Sequence, residues 1–228
     1  MLALVAATGA IGPAAAADVA APALPATYPA AGELVWPAVT ARSAPAPDAA
    51  PIKIFRQFRW DYRRQIVFAV GARTGADGRT WFDVRLPMRP NGTLGWIPAA
   101  AVSLTPVHSA IVVHRATRRI ELFRDGRRVL LARVAVGAPG RETPLGSFYV
   151  TARFVPDDPF LGVFALETSA YSKLTEWPGG GVVGIHGTNL PQLIGQRVSH
   201  GCVRVLNATA DALRRLAPLG TAVTIVDD

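Results

Sequence analysis

The chain has 228 residues, of which 50% are hydrophobic and 18% charged, with a net charge of +8. This length accommodates one or two domains, and the composition excludes a wholly disordered protein. The single cysteine, Cys202, excludes an intramolecular disulfide and a zinc site built from several thiolates. The basic charge is compatible with an anionic partner such as nucleic acid, acidic lipid or cell wall.

The first 50 residues predict an export segment followed by a linker. Residues 1–17 are small and apolar and end in alanines that suit a cleavage site, as in the later part of a secretory signal peptide. No basic residue precedes this run, and Gly12 and Pro13 interrupt it, so a flexible start is the alternative. Residues 18–50 are rich in Ala and Pro and lack periodicity, which is typical of an extended linker.

Residues 51–106 predict a small β-barrel. About five short apolar segments alternate with turns, and Asn91-Gly92 is a strong tight-turn signal. This region carries a net charge of +6, the highest for its size, so attraction to a polyanion is expected here.

The run from Trp81 to Pro98 is similar to the last half of a bacterial Src-homology-3-like domain, in which a Trp strand leads through a turn to a Gly-Trp-Ile strand. Trp81 and Trp96 either line a ligand groove or belong to the core and edge of the barrel.

Residues 107–228 predict a second domain that is mostly β. The Asp125-Gly126 pair indicates a hairpin turn, and a single helix is expected near residues 208–217, with Asn207 as its cap. The predicted strands lie at residues 110–114, 118–123, 127–137, 146–155, 162–168, 181–187, 202–206 and 222–226.

The chemistry-bearing residues lie near the end of this domain. His186 ends one apolar run and Cys202 begins another, so two neighbouring strands can bring imidazole and thiol together. A thiol of ordinary pKa needs an adjacent base or cationic field to act as a nucleophile. Gly201 permits a tight turn, the amides around Gly201 and Cys202 can face an oxyanion, and Arg204 can hold a substrate carboxylate.

Two other interpretations of these residues compete with catalysis. A lone cysteine is most often a small buried hydrophobic residue. His186, His200 and Cys202 are also three ligands that could hold zinc, but no Asp or Glu lies close in the sequence to act as a base, and we expect no metal.

The segments His186-Gly187-Thr188 and Ser199-His200-Gly201-Cys202-Val203-Arg204 closely resemble the active-site signature of YkuD-type L,D-transpeptidases, which are peptidoglycan cross-linking cysteine enzymes. The resemblance extends upstream to Gly137, Thr143, Pro144 and Gly146 and downstream to Asn207, and it covers about 120 residues. It implies a β-rich catalytic domain with one or two helices, preceded by the Src-homology-3-like barrel. A lid hairpin is expected at residues 154–164 or 174–183.

The resemblance also implies a role for each motif residue. Cys202 is the nucleophile and His186 the base, and the carbonyl of Gly187 orients the imidazole. Ser199, His200 and Gly201 shape the oxyanion region, and Arg204 contacts substrate or supports the structure.

The implied reaction links the third-position diamino acids of two peptidoglycan stems and releases D-Ala. The alternatives are L,D-carboxypeptidase activity at the same site and a wall-binding module with an inactive catalytic domain. We expect no cofactor, no nucleic acid, a monomer, an anionic cell wall as partner, and an exported location in the wall or periplasm.

Overall fold

A computed structural model describes residues 27–176 and 178–228. The predicted signal segment, residues 1–17, and the linker as far as residue 26 lie outside the described residues. Within the described part the chain is mainly β, with seventeen strands and one α-helix, which confirms the expected fold class. In this part no helix is long and apolar enough to cross a membrane.

The N-terminal half forms one antiparallel sheet of seven strands. They are β1 (Ala30–Leu34), β2 (Ala38–Arg42), β3 (Pro51–Arg56), β4 (Ile66–Thr74), β5 (Thr80–Arg85), β6 (Leu94–Pro98) and β7 (Val102–Pro106). Their order in the sheet is β3-β2-β6-β5-β4-β1-β7. Trp81 is buried in the core, whereas Trp96 is half-buried with the Arg73 guanidinium 5.6 Å from its ring centroid. The likeness of this half to a Src-homology-3-like domain stays a prediction.

The predicted linker is wrong over its second half. β1 and β2 lie within residues 18–50, and β1 is an interior strand that pairs with both β4 and β7. Small side chains are needed here, because a Cβ at Gly32 would lie 1.8 Å from the Ser103 carbonyl oxygen. The small residues that make this segment resemble a linker are therefore the residues that let β1 pack closely against β7. The folded part includes residues 30–50 and does not begin at residue 51.

The strands of the C-terminal half are β8 (Ser109–His114), β9 (Arg119–Arg124), β10 (Arg127–Arg133), β11 (Val136–Gly137), β12 (Gly146–Phe154), β13 (Ala165–Tyr171), β14 (Val182–His186), β15 (Arg197–Ser199), β16 (Val203–Arg204) and β17 (Ala222–Val226). Eight of them form a sheet in the order β10-β9-β8-β17-β12-β13-β14-β16, and β11 and β15 pair separately. Short 3-10 helices lie at Ala99–Ala101, Pro159–Leu161 and Pro191–Leu193, and Pro178–Gly181 forms turns in which Gly179 and Gly180 have left-handed φ values. All eight predicted segments contain strands, and only β15 was not expected.

The single described α-helix, α1 (Asn207–Leu216), packs Ala210 and Leu213 into the core. It lies within one residue of the predicted span. The predicted cap is wrong, because Leu206 is the N-cap residue and no side chain caps the helix. The Asn207 side chain is used elsewhere, as the next subsection describes.

The two halves pack together through a small apolar cluster. Tyr149 of β12 is fully buried, and its ring stacks on Phe68 of β4 with centroids 5.1 Å apart. Its hydroxyl donates to the carbonyl of Ile66 at 3.1 Å. Nearby, the Asn91 side chain bonds to both backbone groups of Tyr171, with its amide donating to the carbonyl at 2.8 Å and its oxygen accepting from the N–H at 2.9 Å. These contacts fix the N-terminal sheet against β12 and β13.

The interior position of β1 makes a direct prediction. Gly32→Ala should lower the free energy of unfolding by at least about 2 kcal/mol, since its methyl group would force apart β1 and β7. Gly71→Ala on β4 is the matched control, because nothing lies within 4 Å of its Cβ position, and it should be neutral or slightly stabilising. Urea denaturation followed by tryptophan fluorescence measures both, and equal midpoints would show that residues 30–34 are not held in the sheet.

Candidate active site

Two short parallel strands bring the predicted catalytic residues together. In the pairing of β14 with β16, Ile185 is opposite Val203 and His186 is opposite Arg204. Cys202 directly precedes β16, and its Sγ accepts the N–H of Gly184 at 3.4 Å. A Cβ at Gly184 would lie 3.8 Å from His186 Cδ2 and 4.0 Å from Cys202 Sγ. Imidazole and thiol therefore flank the same glycine, and the lack of a side chain there leaves the space between them open.

The orientation of His186 is fixed by a neighbouring carbonyl. Its Nδ1 lies 2.6 Å from the carbonyl oxygen of Gly187, the contact that the motif resemblance predicts. Because a carbonyl only accepts, Nδ1 carries the proton and Nε2 of the neutral ring is left as an acceptor. Burial lowers the pKa of His186 to about 4, with a further decrease from the nearby Arg204. At neutral pH the imidazole is uncharged and able to accept a proton.

Cys202 is only partly accessible, and burial raises the pKa of its thiol. The N–H of Gly184 and the charge of Arg204 oppose this effect without reversing it. The resting pair is therefore a neutral thiol beside a neutral imidazole. In this arrangement His186 can serve as a general base for the thiol, without a preformed ion pair.

The turn before Cys202 is braced by Ser199. Its hydroxyl donates to the Cys202 carbonyl at 2.5 Å and accepts the N–H of Gly201 at 3.2 Å. Gly201 has φ +116°, and a Cβ there would lie 2.8 Å from Ser172 Cβ, so only glycine fits. Since the Gly201 amide is committed to Ser199, it does not point to an oxyanion in this arrangement.

The His200 ring faces the same cavity and contacts the Arg141 guanidinium through Nε2. Burial and the charges of Arg141 and Arg204 lower the pKa of His200. The ring is thus held neutral beside the cavity.

Arg204 is buried with its guanidinium 4.5 Å from the centroid of the Phe160 ring. Among the described residues its Nε has no hydrogen-bond partner. A buried donor without a partner carries a desolvation cost, which a ligand oxygen would relieve. From its position beside His186, facing the cavity, Arg204 can donate to a carboxylate bound there.

These groups line one cavity of about 290 Å³. Both segments in which we expect a lid border it, Phe154, Phe160 and Leu161 from the first and Gly179 and Val182 from the second. His186, His200 and Cys202 all face it, yet in the described chain no three His, Cys, Asp or Glu side chains are grouped to hold a metal ion.

Sequence reasoning missed the role of Asn207. Its Oδ1 accepts the N–H of Thr188 at 3.0 Å and that of Val163 at 3.3 Å, so one side chain ties the segment after His186 to the segment before β13. A Cβ at Gly162 or Gly187 would lie 2.2 or 2.3 Å from this oxygen. Asn207 thereby fixes Gly187, whose carbonyl orients the imidazole. The sequence signals for this role are the two glycines, which allow the close approach, and the place of Asn207 in the family resemblance.

Comparisons with known proteins identify this region. The family model for the L,D-transpeptidase catalytic domain, YkuD, matches residues 108–225. A Bacillus subtilis protein named as an L,D-transpeptidase, YkuD, is 36% identical over 121 residues, which cover 53% of this chain and 66% of that protein. A Bacillus licheniformis protein of the same name is 32% identical over 158 residues, covering 66% of this chain and 89% of that protein.

The solved structure of L,D-transpeptidase 3 from Mycobacterium tuberculosis matches 72% of this chain and 92% of that chain, at 13% identity and a TM-score of 0.47. The aligned part of this chain thus spans just under two thirds of the Bacillus subtilis relative and most of the other two proteins.

The neutral resting pair predicts a particular pH profile for thiol alkylation. The rate of Cys202 alkylation by iodoacetamide should rise with pH, with a midpoint above the ordinary thiol value and no plateau in acid, because burial raises the thiol pKa. His186→Gln should keep this shape. Since Cys202 is the only cysteine, intact mass reports it directly. A reactive plateau below pH 7 that His186→Gln abolishes would indicate an ion pair instead.

Burial of His186 also predicts how stability depends on pH. The pKa of His186 is about 4 when folded, below the ordinary value of about 6.5 in the unfolded chain, so the unfolded state binds more protons between these values. The free energy of unfolding should fall as pH decreases through this range, by about 2 kcal/mol at pH 5 from this residue. Urea denaturation at several pH values tests it: His186→Gln should have a flatter profile, and an unchanged slope would contradict the assignment.

Proposed function

The chain belongs to the YkuD family of L,D-transpeptidase catalytic domains, and from this we propose that it is a cysteine-dependent acyltransferase acting on peptidoglycan stem peptides. The observation that carries the proposal is the cavity in which Cys202, His186 and Arg204 converge. Nucleophile, base and carboxylate-binding group are the three elements that acyl transfer from a peptide with a free carboxylate requires.

In the first half-reaction, His186 Nε2 takes the proton of the Cys202 thiol as sulfur attacks the carbonyl carbon of the third stem residue. A tetrahedral oxyanion forms. When it collapses, the bond to D-Ala breaks, and His186 returns the proton to the leaving amine. The products are free D-Ala and a thioester between the stem and Cys202.

In the second half-reaction, the side-chain amine of the third residue on another stem attacks the thioester. His186 accepts the proton that the amine loses, and Cys202 leaves and regains a proton as the new amide forms. The product joins two third-position residues. The contact from Nδ1 to the Gly187 carbonyl stabilises the imidazolium that forms in each half-reaction.

The oxyanion needs donors that are already in place. Because the Gly201 amide donates to Ser199, we assign the backbone N–H of Cys202 as the candidate donor. Ser199 is then a positioning residue that holds the turn in which this amide lies. His200, whose ring faces the cavity, is placed to contact the same region.

We assign Arg204 to a carboxylate of the donor stem. Its buried guanidinium rests on Phe160 and presents an unpartnered Nε within the described site. Because Arg204 adjoins His186 through the strand pairing, a carboxylate bound there would lie close to the reacting atoms. Binding of the carboxylate would also offset the positive charge that lowers the pKa of His186.

Cross-linking, hydrolysis and pure wall binding are distinguished by whether a thioester forms and by which molecule attacks it. An amine gives a cross-link, water gives L,D-carboxypeptidase activity, and a wall-binding module forms no thioester. We place cross-linking first because of the family. We also propose export to the wall or periplasm, where a lone thiol escapes intramolecular disulfide formation.

The test uses the single thiol as its reporter. Incubation of the full chain with a carbapenem should add the mass of one inhibitor, and a tetrapeptide stem should release D-Ala. Cys202→Ala should abolish both, and His186→Gln should slow D-Ala release by about 10²- to 10⁴-fold.

Leu131→Ala, an exposed change on the distant edge strand β10, serves as control and should behave as wild type. Retained D-Ala release in Cys202→Ala would overturn the assignment of the nucleophile. With two stems supplied, the cross-linked dimer distinguishes transpeptidation from trimming.

A further inference from the structure

A rigid turn of the N-terminal half lies at the rim of the catalytic cavity. Residues 57–65 connect β3 to β4, with the Arg59 N–H donating to the Arg63 carbonyl at 2.9 Å. The Asp61 carboxylate accepts from the Arg63 N–H at 3.2 Å and from its guanidinium at 2.7 Å. These bonds across the turn hold it in one conformation.

This turn is fastened to residues that also line the catalytic cavity. Arg59 Nη2 donates to Glu167 Oε1 at 2.7 Å, and the Arg63 guanidinium lies 5.1 Å from the Phe154 ring centroid. Glu167 and Phe154 both border the cavity that holds Cys202. The N-terminal half therefore supports part of the cavity wall.

The same turn presents three aromatic side chains to solvent. Phe58 is 48% exposed, Trp60 84% and Tyr62 89%. Exposed aromatic residues clustered on a rigid segment are characteristic of interaction sites, because their burial by a partner stabilises a complex with little loss of side-chain freedom. Nothing in the packing of the turn itself requires Trp60 or Tyr62 to be large.

A groove of about 570 Å³ adjoins this turn, and two of the three aromatic side chains belong to its lining. Phe58 and Trp60 line its outer part. Its inner part shares Glu167, Gly179 and Val182 with the cavity, so the two adjoin. The groove volume lies in the range of sites for small organic ligands.

The groove also carries hydrogen-bond donors and positive charge. Lys53, Arg56 and Gln65 contribute side chains to it, and Arg59 and Arg89 lie at its inner wall. Three of these five donors already bond within the protein, Arg59 to Glu167, Arg89 to the Gly180 carbonyl and Gln65 to the Ile66 carbonyl. Lys53 and Arg56 are left to face a ligand, alongside a single carboxylate, that of Glu167. This combination suits a ligand with apolar faces and many oxygen acceptors.

We propose that this groove binds the sugar units to which the donor stem is attached. A pyranose ring has an apolar C–H face that stacks on an aromatic ring, with hydroxyl and N-acetyl oxygens at its edge that accept from Lys53 and Arg56. The stem runs from the sugar to its scissile bond, and the groove that Trp60 lines adjoins the cavity that holds Cys202. The inference rests on the proposed action on peptidoglycan stems and assigns the N-terminal half a role in recognising the substrate.

The experiment compares two donors with the full-length protein: a disaccharide-tetrapeptide and the same tetrapeptide without sugar. Trp60→Ala should raise KM for the sugar-bearing donor by about fivefold to tenfold, with kcat unchanged, as expected for one lost ring contact. It should not change KM for the free tetrapeptide. Trp60→Phe, which keeps a ring, should retain most of the affinity, and Leu131→Ala should match wild type for both donors.

Each other outcome has a definite meaning. Equal KM changes for both donors would show that the groove binds the peptide, and no change for either would show that it binds neither; both results overturn the proposal. Binding to anionic lipid vesicles that Trp60→Ala abolishes, with both KM values unchanged, would assign the aromatics to a membrane surface and also overturn it. Failure of the wild type to release D-Ala from either donor would instead contradict the proposed function.

Discussion

The pairing of β14 with β16 is the constraint on which the active site depends. Two residue pairs, Ile185 with Val203 and His186 with Arg204, set the register, and the Val205 N–H donates to the His186 carbonyl at 2.9 Å. In a strand pair a slip of one residue reverses every side chain. Such a slip would turn His186 away from Cys202. Burial of Ile185 and Val203 in the core resists it, so apolar packing holds the chemical groups in place.

Burial gives the site its chemical character as well as its geometry. The same desolvation lowers the pKa of His186 and raises that of Cys202, and both shifts favour the neutral forms. A base of low pKa is a weak base in the resting state, so in the proposed reaction proton transfer would be coupled to attack on the carbonyl. The Gly187 carbonyl and the Gly184 amide are fixed dipoles that would stabilise the charges formed in that step.

The N-terminal half has a structural connection to this chemistry. Tyr149 and Phe68 join the two halves in an apolar contact, and Arg59 reaches Glu167 in the cavity wall. Glu167 lies opposite Gly184 in the pairing of β13 with β14, and the Gly184 N–H donates to Cys202 Sγ. One ion pair therefore joins the N-terminal turn to the cavity wall. Part of the basic charge of residues 51–106, that of Lys53, Arg56, Arg59 and Arg89, lies in the groove that adjoins the cavity.

The sequence by itself determined most of the strands and predicted which residues carry the chemistry. His186 and Cys202 are recognisable because their residue types and spacing are local, and the strands are recognisable because alternating burial leaves a period of two. The tertiary structure decided what depends on distant partners: that residues 30–34 form an interior strand, that Asn207 holds Gly187, that the Gly201 amide serves Ser199, and that Trp60 lies beside the cavity. It also decided that burial favours the neutral forms of both His186 and Cys202. Desolvation and strand pairing are produced by residues far apart in the chain, so no local pattern encodes them.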